Sequence, residues 1–245
     1  MTLKNNTQIY APIIVNAAGP YSSRINDMAF RESNQYKNDS NIFCRVMRQE
    51  VAYAMSPTGT DTSTKGWMIP DFDNGTYMRS DSFGQKILIG TIEPECDTLN
   101  WIDSNNPDDI DYSLSEESTT LLYRAALRFP TLPLQQNKNS MGIVSSYDVT
   151  QDWTPVYDKS NIPGYYLAYG TSGNQFKNAG IIGKIMAEII NKCSFQNADH
   201  DRESLRLDLE YTFRDDVTDE SLNQIDLGRF SRLREVSSEN NNVFG

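Results

Sequence analysis

Short apolar runs separated by turn-forming residues open the chain and predict strands. The first run covers residues 9–15, and small residues follow it at 16–20. A continuous run of β-branched residues is typical of a strand buried on both faces of a parallel sheet. We expect a short helix to follow over residues 22–30.

The pattern between residues 42 and 92 predicts an antiparallel sheet. Strand-like runs cover residues 42–55, 67–69, 76–79 and 86–92. Asp73, Asn74 and Gly75 stand between two of these runs and form a hairpin turn signal. The stretch 97–111 is polar and acidic and predicts a surface loop.

Two helices are expected further along. Ser113 and Glu116 have the spacing of a capping box, which predicts a helix ending at Pro130 and Pro133. Strands are predicted at 141–149 and 165–169. A helix follows the second, with its apolar side formed by Phe176, Ile182, Ile185, Met186, Ile189 and Ile190. The predicted fold class is mixed α/β.

Composition excludes several classes of protein. The 245 residues carry a net charge of -11 without a basic cluster, so a nucleic-acid partner is not expected. Three scattered cysteines and one histidine, His200, do not suit a zinc site or a histidine-based hydrolase, and no metal is expected. Reduced thiols predict a cytoplasmic protein, and no apolar run is long enough to span a membrane.

The segment 165–192 is the best candidate for chemistry, because it predicts a strand, a glycine turn and a helix. The first turn of such a helix has free N–H groups, and Gly170 and Gly173 permit the close approach of an anion or a polarised carbonyl. Lys177 could hold a substrate carboxylate. The alternatives are an ordinary strand-to-helix connection and a solvated surface lysine.

Tyr77 and Arg79 form a second candidate, because the period of a strand puts them on the same face. The planar guanidinium of arginine suits recognition of a carboxylate. An exposed edge strand is the alternative interpretation.

Three segments in this order resemble the superfamily of D-amino-acid oxidase, glycine oxidase and sarcosine oxidase. They are residues 14–22, residues 75–79 with 87–90, and the stretch from 147–152 through 170–178 into the following helix. Residues 230–234 also resemble the end of a bacterial branch of these enzymes. The chain therefore resembles the C-terminal half of a flavin-dependent amine or amino-acid oxidoreductase.

The resemblance implies a partial three-layer FAD-binding domain, an antiparallel substrate domain, and hydride transfer from an amine or amino acid to FAD. It implies that Lys177 meets the substrate carboxylate and that Tyr77, with Arg79, faces the substrate. The cofactor-binding residues that it implies are Ala18, Gly19, Gly170, Thr171, Ser172, Gly173, Asn174 and Gln175.

The chain also departs from the family. Ser145 stands where some members carry the cysteine that binds flavin covalently, so non-covalent FAD is expected. Gln151 replaces a proline, and Asn174 stands where several members have histidine, which leaves the substrate open. No Gly-x-Gly occurs anywhere, although the family begins with such a turn to hold the FAD pyrophosphate. We therefore expect the nucleotide-binding first half to be missing.

The resemblance divides the chain into four expected segments: an FAD-domain remnant at 1–30, a substrate-binding region at 31–140, the end of the FAD domain at 141–193, and a charged tail at 194–245. Besides an oxidoreductase, two alternatives stay open. One is a non-catalytic remnant, and the other is half of a split enzyme whose partner chain carries the dinucleotide-binding turn. Without parallel neighbours the first strand would expose an apolar edge, and FAD retention by the chain alone would be weak.

Overall fold

A computed structural model describes residues 2–33, 35–57, 59–60, 66–134, 141–193, 210–212 and 224–236. The chain divides into two compact units. Unit 1 is built from residues up to Arg45 and from Asp148 onwards, and unit 2 from Val46–Tyr147. The mixed α/β fold class predicted above is confirmed, whereas the four predicted segment boundaries stay predictions.

Unit 1 contains a three-stranded sheet in the order β1-β9-β8, formed by Ile14–Asn16 (β1), Val156–Lys159 (β8) and Tyr165–Tyr169 (β9). β1 runs parallel to β9, and β8 runs antiparallel to it. Side chains alternate between the two faces of β9. Tyr166 packs towards helix α3 (Ala179–Lys192), and Tyr165 packs towards helix α1 (Ser22–Ser33). The sheet therefore lies between two helical layers.

The burial predicted for the first apolar run is wrong. Only the end of that run forms β1, and Ile13, Ile14 and Val15 remain 37%, 42% and 40% exposed. The reason is the position of β1 at the edge of its sheet, where β9 is its one neighbour among the described strands. A run of β-branched residues predicts a strand but does not supply the neighbours that would bury it.

Unit 2 is built on the antiparallel sheet that the sequence predicts. Its strands are Cys44–Met55 (β2), Met68–Asp71 (β3), Thr76–Asp81 (β4), Lys86–Thr91 (β5), Asn100–Ile102 (β6) and Met141–Thr150 (β7). The order is β3-β4-β5-β2-β6, and β7 also pairs with β2. Helix α2 (Glu116–Arg128) covers one face, where Leu121 and Ala125 pack on Met78 and Ile89.

The turn at residues 73–75 joins β3 to β4, as predicted. Three local predictions are wrong. Helix α2 is capped by Ser115 and not Ser113, because the Ser115 side chain accepts a hydrogen bond from the Glu117 N–H at 3.2 Å. The expected acidic loop contains β6, since its backbone pairs with β2. Phe176 is 96% exposed because it precedes α3 in a short 3-10 turn.

Part of the C-terminal region is packed into unit 1. Two strands, Glu210–Thr212 (β10) and Gln224–Asp226 (β11), form an antiparallel pair, and a 3-10 turn at Leu227–Phe230 follows. The buried Arg232 pairs with Asp39 and Asp158, and the buried Arg234 pairs with Asp152. His200 lies outside the described residues. Among the helices that the structure describes, none has the length and apolar character needed to cross a membrane.

Candidate functional site

The strongest candidate site in unit 1 lies where the parallel strands β1 and β9 end. In a parallel pair both carboxyl ends meet at one edge of the sheet, and ligands of α/β proteins bind in the crevice outside such an edge. Gly19 follows β1 with φ +54°, and Gly170 and Gly173 follow β9 with φ of +74° and +75°. The predicted residues Ala18, Gly19 and Gly170 to Gln175 are thereby brought to the same edge.

The turn after β9 is fastened to the end of β7 by a buried carboxylate. Asp148 accepts hydrogen bonds from the Gly170 N–H at 2.7 Å and from the Thr171 hydroxyl at 2.5 Å. The Ser172 N–H donates to the Asp148 backbone carbonyl at 3.0 Å. A Cβ at Gly170 would lie closer than 3.0 Å to the methyl carbon of Thr150, so only glycine fits there. The turn therefore has one fixed conformation.

The next residues form a polar network at the start of α3. Tyr157 donates from its hydroxyl to Gln175 Oε1 at 3.3 Å, and Asn178 Nδ2 donates to the same oxygen at 3.0 Å. Asn174 accepts a hydrogen bond from Gln175. Lys177 lies in the same 3-10 turn and is exposed. The structure thus groups all of the unit 1 site residues that the sequence predicts around one strand edge.

The backbone at this edge leaves open space in which a bound group can approach it. A Cβ built on Gly19 or on Gly180 meets no atom within 4 Å, so open space lies beside both backbones. No side chain caps the N-terminus of α3 at Asn178. The preceding 3-10 turn bonds the Asn178 and Ala179 N–H groups, and the positive end of the helix dipole favours an oxygen or an anion beside the first turn of α3. The chemistry of the edge is therefore that of backbone donors and amides.

A buried cysteine lies near this turn, but it is not a nucleophile. Burial, and then the charge of Asp148, raise the pKa of the Cys44 thiol well above its usual value. A thiol in this environment stays protonated and unreactive. Ser145 and Gln151 do not offer an attachment point either, and the Gln151 amide bonds the backbone of Phe43 and Asn41.

Unit 2 contains a second cluster, on β4, β5, β2 and β7. The hydroxyls of Tyr77 and Tyr147 share a hydrogen bond, and the negative charge of Glu93 contributes to raising the pKa of both phenols. Gln49 donates a hydrogen bond to Glu93, and both of these side chains are buried. Glu93 adopts φ +51°, a left-handed conformation that is uncommon for a side chain without special support.

Burial and the nearby carboxylate keep both tyrosines protonated. Burial is the largest cause of the raised pKa of Tyr77, and the charge of Glu93 comes second. For Tyr147 burial again comes first, followed by Tyr77 and Glu93. Two neutral phenols beside a carboxylate can donate and accept hydrogen bonds over the whole neutral range of pH. The cluster can therefore orient a polar substrate.

Arg79 lies on the same face of β4 as Tyr77, but its contacts are different. Its guanidinium is exposed and ion-pairs with Asp81 at 3.7 Å. Its charge lowers the pKa of Tyr77 and so partly offsets the effect of burial there. An exposed pair of this kind contributes little to stability. Arg79 is therefore available to a ligand at the surface of the sheet.

Sequence reasoning missed several residues of these two clusters. Tyr147, Asp148 and Thr150 belong to a segment that carried the family resemblance, yet they received no role. Gln49 and Glu93 were not singled out at all. A signal for Glu93 was present, because this charged residue stands two positions after the end of the apolar strand β5. No group of three metal-ligating side chains occurs in the part of the chain that the structure describes.

Several solved structures share this fold. L-proline dehydrogenase from P. horikoshii matches with a TM-score of 0.54 and 20% identity, covering 75% of this chain and 44% of that one. Glycine oxidase from Geobacillus kaustophilus matches with a TM-score of 0.55 and 17% identity, covering 94% and 47%. Amadoriase I from Aspergillus fumigatus matches with a TM-score of 0.54 and 13% identity, covering 81% and 44%. The chain spans less than half of each.

Sequence comparison identifies the family. No curated protein matches the chain significantly. A family model described as FAD dependent oxidoreductase matches residues 2–189, which is well over half of the chain. This range includes the ends of β1 and β9, the glycine turns that follow them, and Tyr77 and Tyr147. The chain belongs to the family of FAD-dependent oxidoreductases.

Proposed function

We propose that the chain is the C-terminal portion of an FAD-dependent enzyme that oxidises a carbon–nitrogen bond of an amine or amino acid. The observation that carries the proposal is the shared edge of β1 and β9, where glycine turns and two helix starts lie together. The structures similar in fold include a dehydrogenase of proline and an oxidase of glycine. FAD, when bound, supplies the acceptor for the hydride.

Unit 1 would hold the cofactor without a covalent bond. Ala18 and Gly19 would line one side, and the turn Gly170, Thr171, Ser172 and Gly173 the other, with Asn174 and Gln175 beyond it. The Gly170 and Ser172 N–H groups are bonded to Asp148, so other backbone N–H groups of the turn would donate to carbonyl oxygens of the flavin ring. Because glycine has no side chain, the ring can approach the backbone closely.

Each unit, taken by itself, offers side chains that would bind a substrate. Lys177 is an exposed cation at the start of α3 and would bind a carboxylate. In unit 2, Tyr77 and Tyr147 would orient the amine by hydrogen bonds, and Arg79 would add a second cation. Amines lose a hydride only when the nitrogen is neutral, and the carboxylate of Glu93 would be the proton acceptor on this side of unit 2.

A second candidate is one half of an enzyme whose dinucleotide-binding turn comes from another polypeptide segment. The exposed apolar residues Ile13, Ile14 and Val15 on β1 favour it, because a further parallel strand would bury them. In that case the cofactor would bind tightly only to the complete assembly. A non-catalytic remnant would bind neither cofactor nor substrate.

Titration of the purified chain with FAD, followed by visible absorption, tests the proposal. We expect a shifted flavin band that saturates, with weak affinity for the chain alone. Small carboxylates such as acetate should then perturb the band, and Lys177→Ala should abolish this effect. Lys192→Ala is the matched control, because Lys192 lies at the other end of α3. A flavin spectrum unchanged at saturating protein would contradict the proposal.

A further inference from the structure

Asp148 is a buried carboxylate whose side-chain hydrogen bonds go to one turn. It is 3% exposed and lies near the end of β7. One side-chain oxygen accepts from the Gly170 N–H at 2.7 Å, and the other accepts from the Thr171 hydroxyl at 2.5 Å. Its backbone carbonyl takes the Ser172 N–H at 3.0 Å. One residue thus binds three consecutive residues of the turn after β9.

Other buried aspartates of unit 1 are used differently. Asp152 forms an ion pair with Arg234 at 2.8 Å, and Asp158 forms one with Arg232 at 3.2 Å. Across the described residues, no lysine or arginine forms an ion pair with Asp148. Burying a charge without a cationic partner is costly unless hydrogen bonds compensate. At Asp148 the two side-chain hydrogen bonds to the turn provide this compensation.

The turn needs such support because its backbone is strained. Ser172 adopts φ +48°, which is unfavourable for a residue with a side chain. Gly170 packs against Thr150 and Cys44, so it cannot shift towards them. Unusual backbone conformations persist only when the surroundings fix them, and they concentrate at ligand sites. Asp148 provides the hydrogen bonds that fix this one.

We propose that Asp148 is a positioning residue that presents the turn of Gly170, Thr171 and Ser172 to the cofactor. The proposal rests on the proposed function, because FAD is the ligand that this turn would meet. Asp148 acts through backbone geometry and does not touch the reacting atoms. Its side-chain hydrogen bonds, and not its charge, fix the backbone groups that would line the flavin.

Two substitutions separate these contributions. Asp148→Ala removes both side-chain acceptors and leaves the buried Gly170 N–H without a partner. Asp148→Asn keeps an acceptor for that N–H, and its amide can donate to the Thr171 hydroxyl, so geometry is retained without the charge. Asp158→Asn is the matched control, because Asp158 is a buried aspartate of unit 1 that binds Arg232 and not the turn.

Hydrogen exchange of the turn, measured without cofactor, is the first readout. We expect amides of residues 170–175 to exchange faster in Asp148→Ala, while those of α3 keep their protection. Asp148→Asn and Asp158→Asn should exchange at this turn like the natural chain. Unchanged exchange in Asp148→Ala would overturn the proposal, whether or not the chain binds FAD.

FAD affinity and the visible spectrum of the bound flavin form the second readout. Asp148→Ala should weaken FAD binding by about 10- to 100-fold, because part of the binding free energy would be spent on ordering a turn that has lost its two side-chain hydrogen bonds. Asp148→Asn should restore the affinity and the band shape. Equal FAD affinity in all variants would overturn the proposal that Asp148 presents the turn to the cofactor. Absence of binding in the natural chain would overturn the proposed function instead, and hydrogen exchange alone would then decide whether Asp148 holds the turn.

Discussion

Gly170→Ala tests the geometry of the candidate site most directly. Gly170 has φ +74°, and a Cβ there would lie closer than 3.0 Å to Thr150 Cγ2 and 3.2 Å from Cys44 Sγ. The left-handed conformation costs about 1–2 kcal/mol for alanine. Overpacking a tight site adds about 1–3 kcal/mol. We expect the free energy of unfolding to fall by the sum, about 2–5 kcal/mol.

A matched glycine separates the two costs. Gly19 also has positive φ, but a Cβ there meets no atom within 4 Å. Gly19→Ala should therefore lose only the conformational cost of about 1–2 kcal/mol. Thr150→Ser supplies a second control, because it removes the clashing methyl carbon and keeps the hydroxyl that bonds Asp152 and the Thr154 carbonyl.

Urea unfolding followed by circular dichroism measures all four proteins and the double variant. The double variant of Gly170→Ala and Thr150→Ser should be more stable than the sum of the single effects predicts, by about 1 kcal/mol or more. Two results would refute the reasoning. One is a loss in Gly170→Ala no greater than in Gly19→Ala, and the other is strict additivity in the double variant.

Three further predictions concern other clusters. Arg234→Gln should lower the free energy of unfolding by about 3–5 kcal/mol in urea titrations, because it leaves the buried Asp152 without its cation. The control is Arg229→Gln at an exposed position, which should change the free energy of unfolding by less than about 0.5 kcal/mol. Burial, and then Glu50, raise the pKa of Glu117 from 4.5 to about 6, so stability is lost as pH rises through that window. Glu117→Gln should therefore unfold at higher urea than the natural chain at pH 7 but not at pH 4. Tyr147→Phe and Tyr77→Phe should each lower kcat/KM of the FAD-loaded enzyme by about tenfold. The double variant should lose little more, because both substitutions break the same hydrogen bond between the two hydroxyls. Fully additive losses would contradict this pairing.

The local elements follow from the sequence because their causes lie within a few residues. Alternating apolar positions predict β2, β4 and β5, and the turn residues 73–75 predict the hairpin between β3 and β4. Apolar spacing predicts that Ile185 and Ile189 share the buried side of α3. The glycines after β9 were recognised because a turn at the end of a strand needs them.

Pairings between distant residues were not predictable in this way. Asp148 and Gly170 are 22 positions apart, and Arg234 lies 82 positions from Asp152. No period or local motif indicates which carboxylate will accept which donor. The N-cap of α2 also depended on the folded backbone, because Ser115 and not Ser113 lies within hydrogen-bonding distance of the Glu117 N–H.

The sequence alone determined the fold class, the family and the glycine turns, because propensity, turn chemistry and motif order are properties of neighbouring residues. Only the tertiary structure decided that β1 lies at a sheet edge with exposed apolar side chains, since burial depends on which strands are adjacent. Only the tertiary structure paired Tyr77 with Tyr147 and assigned Asp148 to the turn after β9. These contacts arise from chain packing, which brings residues far apart in sequence within hydrogen-bonding distance.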